Sequence, residues 1–216
     1  MKLFVWDFHG VLEKGNEKAA IEISNMTLER FGYKERFSFE DVERMYGLKW
    51  YQYFERLLPH ESTERCMEIS DACFDKQINN LDIIGKHMEP NDHVHDVLEA
   101  IERSDHDQIV ISNTNPESME MFLSGVGVQD YFSDGRAVAV DAHTPETRKS
   151  KAEMLAEYLA DKEYDHIVTI GDSPKDVALT SVAGGTSYLY AHPWRSHKDC
   201  EADYRINDLR EVLREL

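Results

Sequence analysis

Two hydrophobic rhythms divide this chain. Short continuous apolar runs, bounded by polar or turn residues, read as buried strands: Lys2 to Trp6, Gln108 to Ser112 and His166 to Ile170, with shorter runs at Ala137–Val140 and Ser187–Tyr190. Apolar residues at three- and four-residue spacing read as amphipathic helices. Four such helices, Ala19–Phe31, Phe39–Met45, Trp50–Leu58 and Glu64–Ile78, follow one another with no strand between them. Ser38 with Glu40-Asp41 opens one of these, and Pro59 ends another. From Val94 onward the rhythm alternates, with helices predicted at Val94–Ile101, Pro116–Leu123, Lys149–Ala160, Ser173–Val182 and Asp208–Leu216. Strands alternating with helices predict an α/β fold, a parallel sheet with helices on both faces. The uninterrupted helical block predicts a second unit inserted after the first strand. We therefore expect one domain from residues 1–15 and 88–216, and a helical domain from 16–87.

Composition narrows the partners. The chain has 216 residues and a formal charge of -18, which argues against nucleic acid or an anionic membrane, since both need a basic surface. No apolar run approaches the ~20 residues of a membrane span, and the N-terminus begins in a strand with no signal-peptide pattern. Three cysteines, Cys66, Cys73 and Cys200, lack metal-ligand spacing and point to reduced thiols in a cytoplasm. A monomer or homodimer acting on a small molecule is expected.

In a parallel sheet, chemistry collects at the C-terminal ends of the strands. The first strand delivers Asp7 and His9, the run at 108–111 delivers Ser112 and Asn113, and the run at 166–170 delivers Gly171, Asp172 and Ser173, with Asp176 one turn later. Lys149 and Lys151 open the intervening helix. Several converging carboxylates demand a cation, and oxygen-only ligands favour a hard one such as Mg²⁺.

These blocks, in this order, resemble the haloacid dehalogenase superfamily of phosphotransferases and hydrolases. Asp7-Phe8-His9-Gly10-Val11-Leu12 is similar to its first motif, Ile111-Ser112-Asn113 to its second, Lys151 to its third, and Gly171-Asp172-Ser173-Pro174-Lys175-Asp176 to its fourth. The tail from Ala202 to Leu209 is similar to its last strand and helix. The resemblance implies a Rossmann-like core with a helical cap inserted between the first two motifs, similar to that of phosphoglycolate phosphatase-like members. Cap closure would then exclude water and shape the pocket. It further implies a Mg²⁺-dependent phosphomonoester hydrolase in which Asp7 attacks phosphorus and forms an aspartyl-phosphate. Mg²⁺ would be held by Asp7, the backbone carbonyl of His9 and Asp172. Asp176 would bind a metal water, brace Lys151 or reach the metal directly. Ser112 and the Asn113 amide would bind phosphoryl oxygens, and Lys151 would hold both Asp7 and the transferring group. Lys151 is preferred to Lys149 because Leu155 follows it one turn later, facing the core.

One position departs from the family. The residue two after the nucleophile is usually a second aspartate, the general acid and base; here it is His9. An imidazole titrates near ~6.5 and can protonate a leaving alkoxide and then deprotonate water. Three readings follow: a working acid–base, a poor one leaving a slow enzyme or phosphotransferase, or a core that has lost catalysis and only binds. The 2-haloacid dehalogenases also replace this aspartate, but they need no metal, and retention of Asp172 and Asp176 speaks for phosphate. Elsewhere, Trp50-Tyr51-Gln52-Tyr53-Phe54 is either cap core, a lid or an exposed patch. His93 and His95 read as a solvated helix start rather than a metal pair. Arg195, in the segment His192–His197, reads as a surface loop residue that could instead line the rim of the site and meet an anionic substrate group. Gly184-Gly185 reads as a helix cap and turn.

Overall fold

The computed structural model describes residues 1–45, 48–140, 149–195, 197 and 199–216. Its strands are β1 (Lys2–Trp6), β2 (Glu13–Lys14), β3 (Glu89–Pro90), β4 (Asp107–Ser112), β5 (Ala137–Ala139), β6 (His166–Gly171), β7 (Gly185–Tyr190) and β8 (Tyr204–Ile206). Its helices are α1 (Asn16–Arg30), α2 (Phe39–Met45), α3 (Trp50–Leu57), α4 (Thr63–Ile78), α5 (Leu81–His87), α6 (Val94–Glu102), α7 (Pro116–Gly125), α8 (Lys151–Leu159), α9 (Pro174–Val177) and α10 (Thr180–Ala183), with 3₁₀ turns at Gln129–Phe132 and Leu209–Glu215. The chain divides into two compact units, Met1–Lys14 with Pro90–Leu216, and Gly15–Glu89.

The first unit is the α/β fold expected from the alternating rhythm. Six strands form one sheet in the order β5-β4-β1-β6-β7-β8, and each neighbouring pair is parallel. Strand β1 lies at its centre, where both faces must be apolar. Leu3 and Val5 join Ile109, Ile111, Ile167 and Leu155 of α8 in one core cluster, while Phe4 and Trp6 are as fully buried on the other face. There the Gln108 side-chain amide donates to the Leu98 carbonyl of α6 at 3.0 Å. Register aligns Trp6 with both Val110 and Ile170. The residues that follow β1, β4 and β6 therefore leave the sheet along one edge.

Two expectations are corrected. The closing helix predicted at Asp208–Leu216 is a 3₁₀ turn over Leu209–Glu215. Its buried residues, Leu209 and Val212, are three apart, which matches the 3₁₀ period of three residues per turn. The helix predicted at Ser173–Val182 is two short helices, α9 and α10. The Leu179 amide bonds back three residues to the Asp176 carbonyl, and this tightened turn lets Leu179 enter the core cluster.

Helices α1 to α5 make up the body of the second unit. The aromatic run on α3 is its core and not an exposed patch: Trp50, Tyr53 and Phe54 are buried, Trp50 meets Phe74 edge-on at 4.9 Å, and its indole N–H donates to Ser24 Oγ at 2.8 Å. Cys66 and Cys73 are buried with them. Burial pushes the Cys66 thiol up, and pushes that of Cys73 up to about 12. A thiol must ionise to react, so we expect a maleimide at pH 7 to label the native protein only at partly exposed Cys200, and the urea-unfolded chain at all three cysteines. Mass spectrometry of labelled peptides checks this, and rapid native labelling at Cys73 would contradict it.

Candidate active site

Strand β1 ends in Asp7, whose amide still donates to the Ile170 carbonyl of β6 at 2.8 Å. Its side chain is only 11 % exposed. Oδ1 accepts from the Phe8 amide at 2.8 Å and from Lys151 Nζ at 2.7 Å, which sets the plane of the carboxylate. Lys151 is the first residue of α8 and is buried. A cation at a helix N-terminus opposes the helix dipole, so this lysine needs local anions. It has two: Asp7, and Asp176 Oδ1 at 2.6 Å. Lys149 lies outside the helix, exposed, and pairs with Glu157 instead.

Asp176 sits on α9 and is tied down on its other oxygen. Oδ2 accepts from the Ser173 amide at 3.1 Å and from the Ser173 hydroxyl. This packing dictates Gly171, since a Cβ there would lie 2.0 Å from the Asp176 Cβ. The Gly-Asp-Ser-Pro-Lys-Asp spacing is thus a steric requirement of bringing two carboxylates to one strand end. Asp172, the first of them, is buried; its Oδ2 accepts from Arg195 Nη1 at 2.9 Å and meets His192 Nε2 at 3.0 Å. His192 is in turn stacked on Trp194 with ring centroids 4.9 Å apart.

Burial first, and then the Asp176 charge, push the Asp7 carboxyl from 3.8 up to about 7, with Lys151 pulling the other way. For Lys151, burial disfavours the ammonium, but Asp176 and Asp7 outweigh it and hold it above the usual lysine range. The cluster is therefore short of positive charge around Asp7 despite its lysine.

Asp7, Asp172 and Asp176 each offer an oxygen, and these atoms all lie within 4.8 Å of one another. Among the described residues this is the one acidic, His or Cys group with metal-binding geometry. His93 and His95 form no such group; His93 is the exposed N-cap of α6. An oxygen-only donor set suits a hard divalent cation. Ser112, at the end of β4, is 1 % exposed, and its hydroxyl has no hydrogen-bond partner among the described residues. A buried orphan hydroxyl is costly unless a ligand satisfies it. Asn113 beside it is exposed. His9 follows β1 and turns its Nδ1 to Glu13 Oε1 at 2.9 Å.

Sequence reasoning missed Glu13 and favoured the wrong place for Arg195. Arg195 is not a surface loop residue: its side chain is 9 % exposed and lies on Asp172. No periodicity marks it, because it stands in an irregular segment after β7. Glu13 is 1 % exposed, and no pattern of neighbouring residues marks this carboxylate as one that folds inward.

The haloacid dehalogenase-like hydrolase family matches the chain over residues 4–188. The comparison with curated proteins finds no match. Among solved structures, a protein from Haemophilus somnus 129pt described as a "predicted phosphoglycolate phosphatase" is similar over 100 % of this chain and 97 % of its own, at 17 % identity and a TM-score of 0.79. A haloacid dehalogenase-like family hydrolase from Streptococcus pneumoniae is similar over 99 % and 97 %, at 14 % identity and a TM-score of 0.76. CbbY from Rhodobacter sphaeroides, solved in complex with phosphate, is similar over 97 % and 95 %, at 15 % identity and a TM-score of 0.75. At these identities the structures speak for the fold, a Rossmann-like sheet with an inserted helical unit. With the family match spanning nearly the whole sequence, this chain belongs to the haloacid dehalogenase-like hydrolases.

Proposed function

We propose that this hydrolase is a Mg²⁺-dependent phosphatase of small phosphomonoesters that works through an aspartyl-phosphate. The observation that carries the reading is the buried chain Asp7–Lys151–Asp176. A carboxylate, an ammonium and a second carboxylate are held in hydrogen-bond contact, with the orphan hydroxyl of Ser112 on the neighbouring strand. Asp7, Asp172 and Asp176 would hold the metal, in keeping with a family that generally uses a divalent cation. When bound, Mg²⁺ supplies the positive charge that lets an anionic nucleophile approach an anionic phosphoryl group.

The chain's own residues divide the remaining work. Lys151 orients the Asp7 carboxylate and offers its ammonium to the charge building on the phosphoryl oxygens. The Ser112 hydroxyl, with no partner among the described residues, is satisfied by a phosphoryl oxygen, and the Asn113 amide stands beside it. Asp7 attacks phosphorus as the P–O bond to the substrate alcohol breaks, and His9, in its imidazolium form, gives its Nε2 proton to the departing alkoxide. His9 then takes a proton from water, whose oxygen attacks the aspartyl-phosphate phosphorus. Phosphate leaves and the Asp7 carboxylate is restored. Besides its place in the metal set, Asp176 braces Lys151.

Phosphate release from a panel of small phosphomonoesters tests this reading. We expect turnover with Mg²⁺, no turnover in EDTA, and recovery on adding Mg²⁺ back. His9→Asp is expected to retain turnover and to move its pH dependence. No release from wild type, but clear release from His9→Asp, would overturn the assignment of His9 as an acid–base. Metal-independent release of halide from a 2-haloacid would overturn the phosphatase reading altogether.

A further inference from the structure

The loop after β1 makes an unusual return. The amides of Val11, Leu12 and Glu13 all converge on the Phe8 carbonyl, at 3.2, 3.0 and 3.3 Å, and Gly10 takes a positive φ of 80° to close the bend. Glu13 is thereby brought back to His9, four residues earlier in the chain. Its Oε1 accepts from the Gly10 amide at 3.2 Å and meets His9 Nδ1 at 2.9 Å. The His9 ring is clamped from two further sides, edge-on to Phe8 at 5.1 Å and to Phe122 at 5.0 Å.

The chemistry of this contact is directional. A carboxylate has only acceptors to offer, so the imidazole hydrogen belongs on Nδ1. In the neutral ring the lone pair then falls on Nε2, which makes no hydrogen bond to a described residue. Glu13 is 1 % exposed while the His9 side chain is 19 % exposed. The carboxylate is therefore sealed behind the ring, and the ring itself is open. A neutral imidazole with one carboxylate also carries the same net charge as the single aspartate that the first motif of this family usually has at position 9.

We infer that Glu13 is the positioning residue for His9: it fixes the tautomer and plane of the ring and so presents Nε2 for proton transfer. This inference rests on the phosphatase reading above. It adds that the loss of the aspartate is compensated by two residues acting together. Histidine at this position without a buried acceptor at position 13 would place its proton on either nitrogen, and only one of the two neutral forms could act as the base.

The test combines a tautomer measurement with a mutant cycle on the full chain. Long-range ¹⁵N–¹H correlation spectra, with the His9 ring identified by its loss in His9→Ala, are expected to show the Nδ1–H form in wild type and a mixture in Glu13→Leu. Glu13→Leu is expected to lower kcat by about 10- to 100-fold with KM nearly unchanged. Glu13→Gln, which keeps an acceptor oxygen, is expected to recover most of that loss. In a His9→Ala background the same Glu13→Leu change should alter kcat by less than about 2-fold, because the group it positions is gone. An Nε2–H ring in wild type, or an equal loss in both backgrounds, overturns the proposal. Phosphate release by wild type tests the underlying reading separately, since the ring tautomer is read without turnover.

Discussion

Asp7→Asn is expected to lose activity and gain stability at once. Removal of the attacking oxygen should lower phosphate release by at least about 10⁴-fold. The stability gain follows from the cost of the native charge. In the unfolded chain Asp7 keeps its ordinary 3.8, while burial and the Asp176 charge hold it near about 7 in the folded protein. The fold therefore binds this proton more tightly than the unfolded chain does. The resulting stabilisation is complete below about pH 4 and is lost as pH rises through 7. At pH 8 the metal-free wild type holds a carboxylate that its surroundings disfavour, and an amide removes the conflict. We expect the melting temperature of Asp7→Asn in EDTA to exceed that of wild type by about 5 °C at pH 8. The gap should shrink toward zero as pH is lowered to 4. A variant less stable than wild type at pH 8 would mean that the Lys151 contact outweighs the repulsion.

Lys151→Met should fail in both respects. The ammonium stands between Asp7 and Asp176, 2.7 and 2.6 Å from their oxygens, and its side chain is only 6 % exposed. Without it, two buried carboxylates face each other with no counter-charge between them, and breaking such a pair costs about 3–5 kcal/mol. Phosphate release should fall by about 10³-fold, the scale of losing a fixed charge from a phosphoryl-transfer site. Metal makes the expectation more specific. Mg²⁺ should raise the melting temperature of Lys151→Met more than that of wild type, because the cation then replaces the missing charge. Lys151→Arg keeps the charge but not the point-like geometry, and should recover stability better than turnover. Thermal melts with and without Mg²⁺ decide this, and equal metal effects in wild type and Lys151→Met would argue against a cation near Asp7 and Asp176.

These expectations share one physical theme. Local preference is violated where the candidate chemistry sits: a lysine at a helix start, a hydroxyl with no partner among the described residues, a carboxylate pushed toward neutrality. Each costs stability, and the surrounding core meets that cost. Arg195 extends the theme, since it brings positive charge to Asp172 from a loop outside the recurring motifs, with the His192 ring against the same carboxylate oxygen.

What was legible in the amino-acid order was what repeats or has fixed spacing. The central strands could be read because a strand buried on both faces needs an unbroken apolar run, as at Leu3–Trp6 and Ile109–Ile111. The helical unit could be read because its rhythm never changes between Asn16 and His87. Asp7, Asp172 and Asp176 could be singled out because strand ends in a parallel sheet collect chemistry, whereas the steric need for Gly171 shows only once Asp176 has packed against it. Lys151 was separable from Lys149 by the helical phase of Leu155, which puts one inward and the other in solvent. Tertiary structure alone decided the rest. Arg195 reaches Asp172 across 23 residues through an irregular segment, and the direction of such a segment is set by packing and not by periodicity. Glu13 reads in sequence as one more charge in an acidic chain, and only the return of its loop to the Phe8 carbonyl turns it inward onto His9. Hydrophobic pattern governs which elements form and which face they bury; the meeting of polar side chains depends on distances that exist only once those elements have packed.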